Sequence, residues 1–297
     1  MTPLRIGYFG DGPWSHLAFD MIIENLDIEI AFVCARFDSP DPELKSRAQR
    51  CGIEFLTHPK VNSSDFINLA TTFKCDLFVS MSFNQIFRKP LFDLPRLTTI
   101  NCHAGKLPFY RGRNVLNWAL INDEKEIGVT VHFVDEGIDT GDIVIQRTFD
   151  LSDEDDYASV LKRAVKLCAE CLYDAIIQIN SGTFTRTPQC TIDEFGSYCA
   201  RRSIGDERID WSKNSRQIFN FVRALCAPGP QATSAIDGID IKINKISYRE
   251  DASLSPAEPG TIIEADCDSI SVKSVDGFIE LIEWHSDATP QVADRLI

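Results

Sequence analysis

Short apolar runs alternate with longer amphipathic stretches through the first half of the chain. Residues 5–9, 28–34, 76–81 and 98–100 have the apolar character of buried strands, and a helix is predicted to begin near Trp14. Strands that alternate with helices favour a mostly parallel sheet with right-handed crossovers. The pattern therefore predicts an α/β, Rossmann-like fold whose ligands gather at the carboxyl ends of the strands.

The second half of the chain has a different pattern. Apolar residues recur at helical spacing from Val160 to Ile179, and a polar connection that contains proline and glycine follows. Residues 215–226 are then typical of a short helix, and the strands after it carry hairpin signals at Asp237-Gly238 and Asp276-Gly277. These patterns predict a first domain over residues 1–182, a linker over 183–203, and a small β-barrel-like domain over 204–297.

The charge balance narrows the classes of partner. Lysine and arginine number 30 against 44 aspartate and glutamate, and the net charge of −14 argues against a general surface for polyanions. No apolar run approaches the ~18 to 20 residues of a membrane span. The first residues enter a strand pattern directly, without the basic and apolar regions of a signal peptide. We therefore expect a cytoplasmic protein that has no membrane partner.

The ten cysteines are scattered along the chain and do not suggest a disulfide scaffold. Cys34, Cys75 and Cys102 lie in strand-like apolar runs, where reduced buried thiols are common. The one close pair, Cys168 and Cys171, falls on the apolar stripe of the predicted long helix. No second pair of metal ligands lies nearby in the sequence, so we expect packing thiols and no metal site.

Polar residues cluster where the fourth predicted strand ends. Asn101 and His103 follow the strand-like run that ends at Ile100, and strand alternation places them on one side with Cys102 turned away. Asp139 lies in a second polar loop, at residues 134–142. A carboxamide that donates to an oxyanion, an imidazole that moves protons and a carboxylate that orients it form a plausible set for acyl transfer. Each residue alone is equally compatible with a turn or a satisfied loop position, and their joint pattern favours chemistry.

These two loops resemble the signature of the 10-formyltetrahydrofolate-dependent formyltransferases. The family's three motifs occur in order as Asn101-x-His103, Leu107-Pro108-x-x-Arg111-Gly112 and Asp135-x-Gly137-x-Asp139-x-Gly141, with Gly128-Val129-Thr130 on the strand between. The resemblance extends from residue 1 to about residue 285 and weakens after Thr183. It implies a second domain similar to an open barrel of the oligonucleotide-binding kind.

The resemblance also implies catalytic roles. Asn101 would polarise the formyl oxygen, and His103 would hydrogen-bond the oxyanion and relay protons. Asp139 would position His103, favour its charged form and help to take the proton from the attacking amine. Whether His103 or Asp139 is the base stays open.

The cosubstrate implied by the resemblance is N10-formyltetrahydrofolate, without a metal. As in the family, folate would lie against residues 82–86, whose backbone amides and carbonyls can pair with a pterin edge whatever the side chains. Residues 134–139 would form the other wall. The expected folate-binding residues are Phe83, Asn84, Gln85, Ile86, Leu107 and Asp135.

The acceptor is the harder question, because the family also formylates methionyl-tRNA and glycinamide ribonucleotide and includes folate-hydrolysing relatives. The tRNA enzymes carry a long basic insertion after the second strand, whereas residues 36–43 here are short and acidic. Residues 201–297 hold 11 basic and 16 acidic side chains, and residues 111–118 resemble the branch that formylates amino sugars. We therefore predict a dTDP- or UDP-linked amino deoxysugar as the acceptor and surface glycan, such as the O-antigen of lipopolysaccharide, as the product's destination.

No tRNA partner is expected on this interpretation. The alternatives are a methionyl-tRNA formyltransferase and a non-catalytic folate- or nucleotide-binding relative, and the intact set of Asn101, His103 and Asp139 argues against the second. The nucleotide base, the sugar, the position of its amine and the oligomeric state, a homodimer included, stay open.

Substrate contacts are expected at the first turn and after His103. Residues 10–14 lack the third glycine of a dinucleotide fingerprint, and they suggest a tight turn whose backbone a substrate approaches. Trp14 is either a stacking face or a core residue, and guanidinium groups match phosphate oxygens unless they serve the scaffold. The expected residues are Gly10, Gly12, Trp14, Lys106, Tyr110, Arg111 and Arg113.

Overall fold

The computed structural model describes residues 2–250, 255–266 and 269–297. The chain forms two compact units. The first contains the described residues of Met1–Gly112, Ile127–Phe149 and Lys162–Cys199, and the second those of Arg113–Glu126, Asp150–Leu161 and Ala200–Ile297.

Strands and helices alternate through the first half of the chain, as the apolar pattern predicts. The strands are β1 (Leu4–Gly10), β2 (Ile28–Ala35), β3 (Glu54–Thr57), β4 (Leu77–Met81), β5 (Thr99–His103), β6 (Arg111–Gly112), β7 (Glu126–Phe133), β8 (Ile143–Asp150) and β9 (Tyr198–Cys199). The helices are α1 (Gly12–Ile23), α2 (Pro42–Arg50), α3 (Ser64–Thr72), α4 (Lys89–Phe92), α5 (Val115–Ile121), α6 (Tyr157–Ser181) and α7 (Ser215–Leu225).

The first unit is built on a seven-stranded sheet with the order β3-β2-β1-β4-β5-β7-β8. The pairs β1–β2, β2–β3, β1–β4 and β4–β5 are parallel, whereas β5–β7 is antiparallel. The mostly parallel, Rossmann-like sheet predicted from the sequence is therefore confirmed. Strand order reverses between β1 and β4, and ligands of such sheets bind outside the carboxyl ends of the strands at this point.

Both faces of this sheet are buried, which explains the continuous apolar character of its strands. One face packs against α6, where Leu172, Ala175 and Ile176 are fully buried. The other face holds a cluster of phenylalanine rings in which Phe9 meets Phe32 at 5.5 Å and Phe78 at 5.2 Å between ring centroids.

The second unit contains a five-stranded sheet with the order β10-β11-β14-β13-β12. Its strands are β10 (Ala232–Ile236), β11 (Ile239–Arg249), β12 (Ile262–Ala265), β13 (Ile270–Lys273) and β14 (Phe278–Ser286), and neighbouring strands are antiparallel. Asp237 and Gly238 join β10 to β11 with φ of 49° and 81°, the left-handed pair that a two-residue hairpin turn requires. The predicted hairpins at Asp237-Gly238 and Asp276-Gly277 and the predicted helix at α7 are confirmed.

Two earlier segments of the chain join this second unit. Asn117 Nδ2 on α5 donates to the carbonyl of Ala224 at 2.7 Å, and Trp118 Nε1 donates to the carbonyl of Ala200 at 2.9 Å. Arg216 on α7 binds the carboxylate of Asp123, and this hydrogen bond lowers the pKa of Asp123 to about 2. The predicted boundary, a single linker after residue 182, places residues 113–126 and 150–161 in the first domain, whereas they belong to the second unit.

Cys102, Cys168 and Cys171 fit the packing role expected of them. Cys102 Sγ lies 3.5 Å from the carbonyl of Cys168 on α6, and Cys168 and Cys171 are both buried in the core of the first unit. Burial raises the pKa of Cys171 to about 12. No helix in the described ranges combines the length and apolar character needed to span a bilayer.

We predict that a thiol reagent will label the exposed Cys51 and Cys190 in the native protein and will spare Cys168 and Cys171 until the chain is denatured. Both thiols lack solvent access, and the raised pKa of Cys171 leaves it without a thiolate at neutral pH. Peptide mapping by mass spectrometry checks this, with the denatured protein as the labelling control. Rapid native labelling of Cys171 would contradict the packing role.

Candidate active site

Asn101 and His103 lie on the same side of β5, at the end of the strand. Alternation turns Cys102 away toward α6, as the sequence predicts. In the antiparallel register with β7, Asn101 lies opposite His132 and His103 lies opposite Thr130. The two predicted side chains therefore share one side of β5, and His132 is opposite the first of them.

The imidazole of His103 is buried and held on one side by the backbone. Its Nε2 donates to the carbonyl of Tyr110 at 2.6 Å, because a carbonyl oxygen can only accept. Gly105 makes this approach possible: a Cβ there would lie 2.5 Å from both His103 Nε2 and the Tyr110 carbonyl. The other ring nitrogen, Nδ1, consequently faces Asp139, with 3.7 Å between Nδ1 and Oδ2.

The carboxylate of Asp139 lies among donors and positive charge. The N–H of Gly112 donates to Oδ2 at 2.9 Å, and His132 Nε2 lies 3.5 Å from Oδ1. Burial alone would raise the pKa of Asp139, but the charge of His103, the contact with His132 and the Gly112 N–H outweigh it and hold the pKa well below its ordinary range. Asp139 therefore stays ionised at neutral pH.

His132 is a site residue that the sequence interpretation did not include. Its Nδ1 donates to the carbonyl of Phe133 at 2.8 Å, and its Nε2 lies 3.2 Å from Asn101 Nδ2. As a neutral ring it accepts from Asn101, and as a cation it faces Asp139. The signal was present in the sequence, since Gly128, Thr130 and His132 alternate along one face of β7.

The side chains expected to bind folate are used mainly within the protein. Phe83 packs against Phe9 with ring centroids 5.5 Å apart, and Asn84 Nδ2 donates to Asp38 at 3.2 Å. Gln85 accepts from the Val61 N–H and donates to the His58 carbonyl, whereas Ile86 is half-exposed. A folate interaction through the backbone of residues 82–86 stays a prediction.

The two remaining folate candidates differ in exposure. Leu107 is buried, its N–H donates to Thr130 Oγ1 at 3.3 Å and its carbonyl accepts from Gln146. Asp135 is exposed, and its Oδ1 accepts from the N–H of Gly137 and the hydroxyl of Thr140. Asp135 thus shapes the loop that carries Asp139.

The predicted first turn is partly occupied by the protein's own groups. Gly10 ends β1 and is buried, and the N–H of Gly12 donates to Asp41 Oδ2 at 2.7 Å. Trp14 is half-buried and packs against the core of the first unit, which favours the core interpretation of its ring. The turn hypothesis expected a substrate to approach this backbone, but the Gly12 N–H is already used by Asp41.

The predicted arginines separate into two environments. Arg111 is buried, and its guanidinium donates to Gln189 Oε1 and to the carbonyl of Phe195, so the geometry favours a scaffold contact over the phosphate contact suggested from the sequence. Arg113 is exposed at the start of the second unit. Lys106 and Tyr110 are half-buried, and the Tyr110 carbonyl supports His103.

The arrangement suits acyl transfer. A carboxamide N–H can stabilise an oxyanion, and an imidazole beside a carboxylate that is ionised at neutral pH can hold or move a proton. Among the described residues, no group of histidine, cysteine and acidic side chains could hold a metal ion.

Comparison with known proteins gives consistent matches along the chain. A family model described as "Formyl transferase" matches residues 9–176, and one described as "Formyl transferase, C-terminal domain" matches residues 203–292. A methionyl-tRNA formyltransferase of Citrifermentans bemidjiense is 31% identical over 95% of this chain and 89% of its own length. That of Ruminiclostridium cellulolyticum is 29% identical over 98% and 95%.

Solved structures show the same fold. WlaRD, a sugar 3N-formyltransferase crystallised with dTDP and 5-N-formyl-THF, superposes with a TM-score of 0.70 at 22% identity, over 98% of this chain and 100% of that one. The N-formyltransferase of Helicobacter canadensis, in complex with folinic acid and dTDP-3-aminofucose, has a TM-score of 0.69 at 22% identity, over 96% and 100%.

We predict that Asn101→Ala, His103→Ala and Asp139→Ala will each lower kcat by about 100-fold or more, the scale for loss of an oxyanion donor or an acid–base group. Steady-state kinetics on folded protein, verified by circular dichroism, measures this. Cys102→Ala is the matched control on β5, because its side chain faces α6, and it should retain turnover. Near-normal turnover of folded His103→Ala would contradict the assignment.

The lowered pKa of Asp139 predicts a pH dependence of stability. Because this pKa is lower in the folded chain, the ionised carboxylate stabilises the fold at neutral pH, and this contribution is lost progressively as the pH falls from about 4 toward the lower pKa of the folded state. The gap between the denaturation midpoints of wild type and Asp139→Asn should therefore stay constant from about pH 7 to pH 5 and narrow progressively below about pH 4. Glu136→Gln, which removes an exposed charge from the same loop, is the control. A gap that does not narrow in acid would contradict the role of the charge.

Proposed function

Because the chain belongs to the formyl transferase family, we propose that it moves the formyl group of N10-formyltetrahydrofolate to the amine of a nucleotide-linked amino deoxysugar. The chain is a formyltransferase, and the identity of the acceptor is the proposed part. The product would serve a surface glycan such as the O-antigen of lipopolysaccharide.

The residues of the site supply each step of the transfer. The neutral amine of the acceptor attacks the formyl carbon, and Asn101 Nδ2 and a charged His103 stabilise the oxyanion that forms. The bond between the formyl carbon and N10 of folate then breaks. The attacking nitrogen loses one proton and N10 gains one, so the proton count balances. Asp139 keeps the imidazole oriented and charged through the 3.7 Å contact with Nδ1.

Formyl-folate as the cosubstrate is supported by the family and by related structures. Two of those structures contain 5-N-formyl-THF or folinic acid. In this chain, the backbone of residues 82–86 follows β4 directly, at the carboxyl edge where the strand order reverses. Ser82 has a φ of 59° and Ile86 is half-exposed, which supports an irregular, accessible backbone for the pterin.

The connection between β2 and α2 is the observation that favours a sugar nucleotide over tRNA as the acceptor. Arg36 is the one basic residue between these elements, and it pairs with Asp38 at 2.9 Å and with Asp11 at 3.5 Å. Asp41 ends the connection, caps α2 and contacts His16 Nε2 at 2.6 Å. A connection whose single guanidinium faces two carboxylates supplies little charge to neutralise RNA phosphates.

The relatives support both acceptors. The structural neighbours that were solved with dTDP or dTDP-3-aminofucose support a nucleotide sugar. The curated sequence relatives are named methionyl-tRNA formyltransferases, at 29% and 31% identity for the two compared above. Their names oppose the expectation that tRNA is not a partner, and they make methionyl-tRNA the second candidate acceptor.

Acceptor contacts are proposed at three predicted positions. Lys106 and Tyr110 belong to the loop that supports His103, and Arg113 directly follows Gly112, whose N–H binds Asp139. The exposed guanidinium of Arg113 suits a phosphate oxygen better than that of Arg111, which is buried against Gln189.

We predict that the purified protein will formylate a dTDP- or UDP-linked 3-amino or 4-amino sugar in the presence of N10-formyltetrahydrofolate. Mass spectrometry of the sugar nucleotide measures the product, and Asp139→Ala controls for spontaneous formylation. The same preparation should not retard initiator methionyl-tRNA at moderate salt, since it can neutralise few phosphates. Tight, salt-sensitive binding with efficient formylation of this tRNA would establish the second candidate instead.

A further inference from the structure

A buried glutamine connects the two loops of the active site. Gln189 opens a 3-10 turn at Gln189–Thr191 and is only 3% exposed. Its Nε2 donates to the carbonyls of Asp139 and Gly141, each at 2.8 Å. Its Oε1 accepts from Arg111 Nε at 3.1 Å and from a second guanidinium nitrogen at 2.7 Å. One amide thus ties the loop of Asp139 to the loop that follows His103.

The partners of this amide fix its orientation. Two carbonyl oxygens can only accept and a guanidinium can only donate, so rotating the amide by half a turn would oppose like groups at every contact. Both N–H groups and both acceptor positions of Gln189 are then in use. A side chain with this complete set of partners places the backbone of Asp139 with little freedom.

The backbone at Asp139 requires such support. Asp139 has a φ of 55°, in the left-handed region, which persists in a non-glycine residue where the surroundings hold it. Two residues on, Gly141 packs so tightly that a Cβ would lie 1.9 Å from the Phe133 carbonyl. The Gln189 amide binds the carbonyls of both residues, and so it contacts the loop at two constrained points.

The segment after Gln189 also holds the loop that supports His103. The N–H of Arg111 donates to the Ser197 carbonyl at 2.9 Å, and the N–H of Tyr110 donates to Ser197 Oγ at 3.0 Å. Arg111 additionally donates to the Phe195 carbonyl. The Tyr110 carbonyl in turn accepts from His103 Nε2. Residues 189–197 therefore brace both partners of the His103–Asp139 pair.

We propose that Gln189 is a positioning residue for formyl transfer, which acts through the backbone of Asp139 to keep the carboxylate at its distance from His103. The residue lies between the two family-model matches, which end at residue 176 and begin again at residue 203. The inference rests on formyl transfer as proposed above and does not depend on which acceptor the enzyme uses.

The test compares Gln189→Ala and Gln189→Glu with wild type. Gln189→Glu keeps an acceptor for Arg111 but places a carboxylate oxygen against the carbonyls of Asp139 and Gly141. It therefore tests the two hydrogen bonds donated by Nε2, even if the alanine variant does not fold. We expect kcat to fall by about 10- to 100-fold, the scale for a misplacement near 1 Å, with the KM values for formyl-folate and acceptor little changed. Steady-state kinetics with both substrates varied gives this split.

A double-mutant comparison separates positioning from general support of the fold. In an Asp139→Asn background, Gln189→Glu should add little to the loss of kcat, because the group through which it acts is already gone. Asn25→Ala is the matched control: its Nδ2 donates to the Tyr173 hydroxyl at 2.9 Å before β2 begins, at the opposite edge of the parallel strands. This variant should keep the wild-type kcat.

Two results would overturn the inference. One is an unchanged kcat in folded Gln189→Glu, and the other is a full additional loss when Gln189→Glu is combined with Asp139→Asn. The assay uses the acceptor that the wild type formylates, whether sugar nucleotide or methionyl-tRNA. A wild type that formylates neither would instead count against the proposed function, before any variant is compared.

Discussion

The candidate active site depends on keeping one largely buried carboxylate ionised. Removing Asp139 from water penalises its charged form, and the site compensates with the charge of His103, the ring of His132 and the Gly112 N–H. Each of these partners comes from a different element: His103 from β5, His132 from β7 and Gly112 from β6. The charge on Asp139 is therefore stabilised only if the sheet brings these partners together.

Sheet topology meets this condition in a simple way. The reversal of direction between β5 and β7 puts Asn101 directly opposite His132, at the end of the parallel part of the sheet. A parallel neighbour would need a crossover connection and would present only its carboxyl end at this edge of the sheet. The antiparallel pair instead presents residues from the end of one strand and the later part of the other on the same face. Side-chain alternation places Asn101 and His103 on one face of β5, and the antiparallel pairing places His132 of β7 on the same face.

The sequence predicted those parts of the fold and site that depend on local pattern. Apolar runs located the parallel strands, and alternation placed Asn101 and His103 together. Arg111 could not be assigned locally, because its partner Gln189 lies 78 residues further along the chain. The Gly12 N–H likewise donates a hydrogen bond to Asp41, which lies 29 residues away. The second unit includes residues 113–126 and 150–161, which periodicity alone assigned to the first domain. Each of these features depends on contacts between residues far apart in the chain, which a local sequence pattern does not reveal.

The chemistry of the site does not by itself choose the acceptor. An amine and a formyl carbon meet the same carboxamide, imidazole and carboxylate whether the amine belongs to a sugar or to methionine. Discrimination must therefore come from groups beyond the reacting atoms, where charge differs most between the two acceptors. A tRNA offers many phosphates and a sugar nucleotide offers two, so the number of available cations matters more than the position of any single one. The net charge of −14 and the internal pairing of the single arginine in the β2–α2 connection therefore support our proposal of the smaller anion as the acceptor.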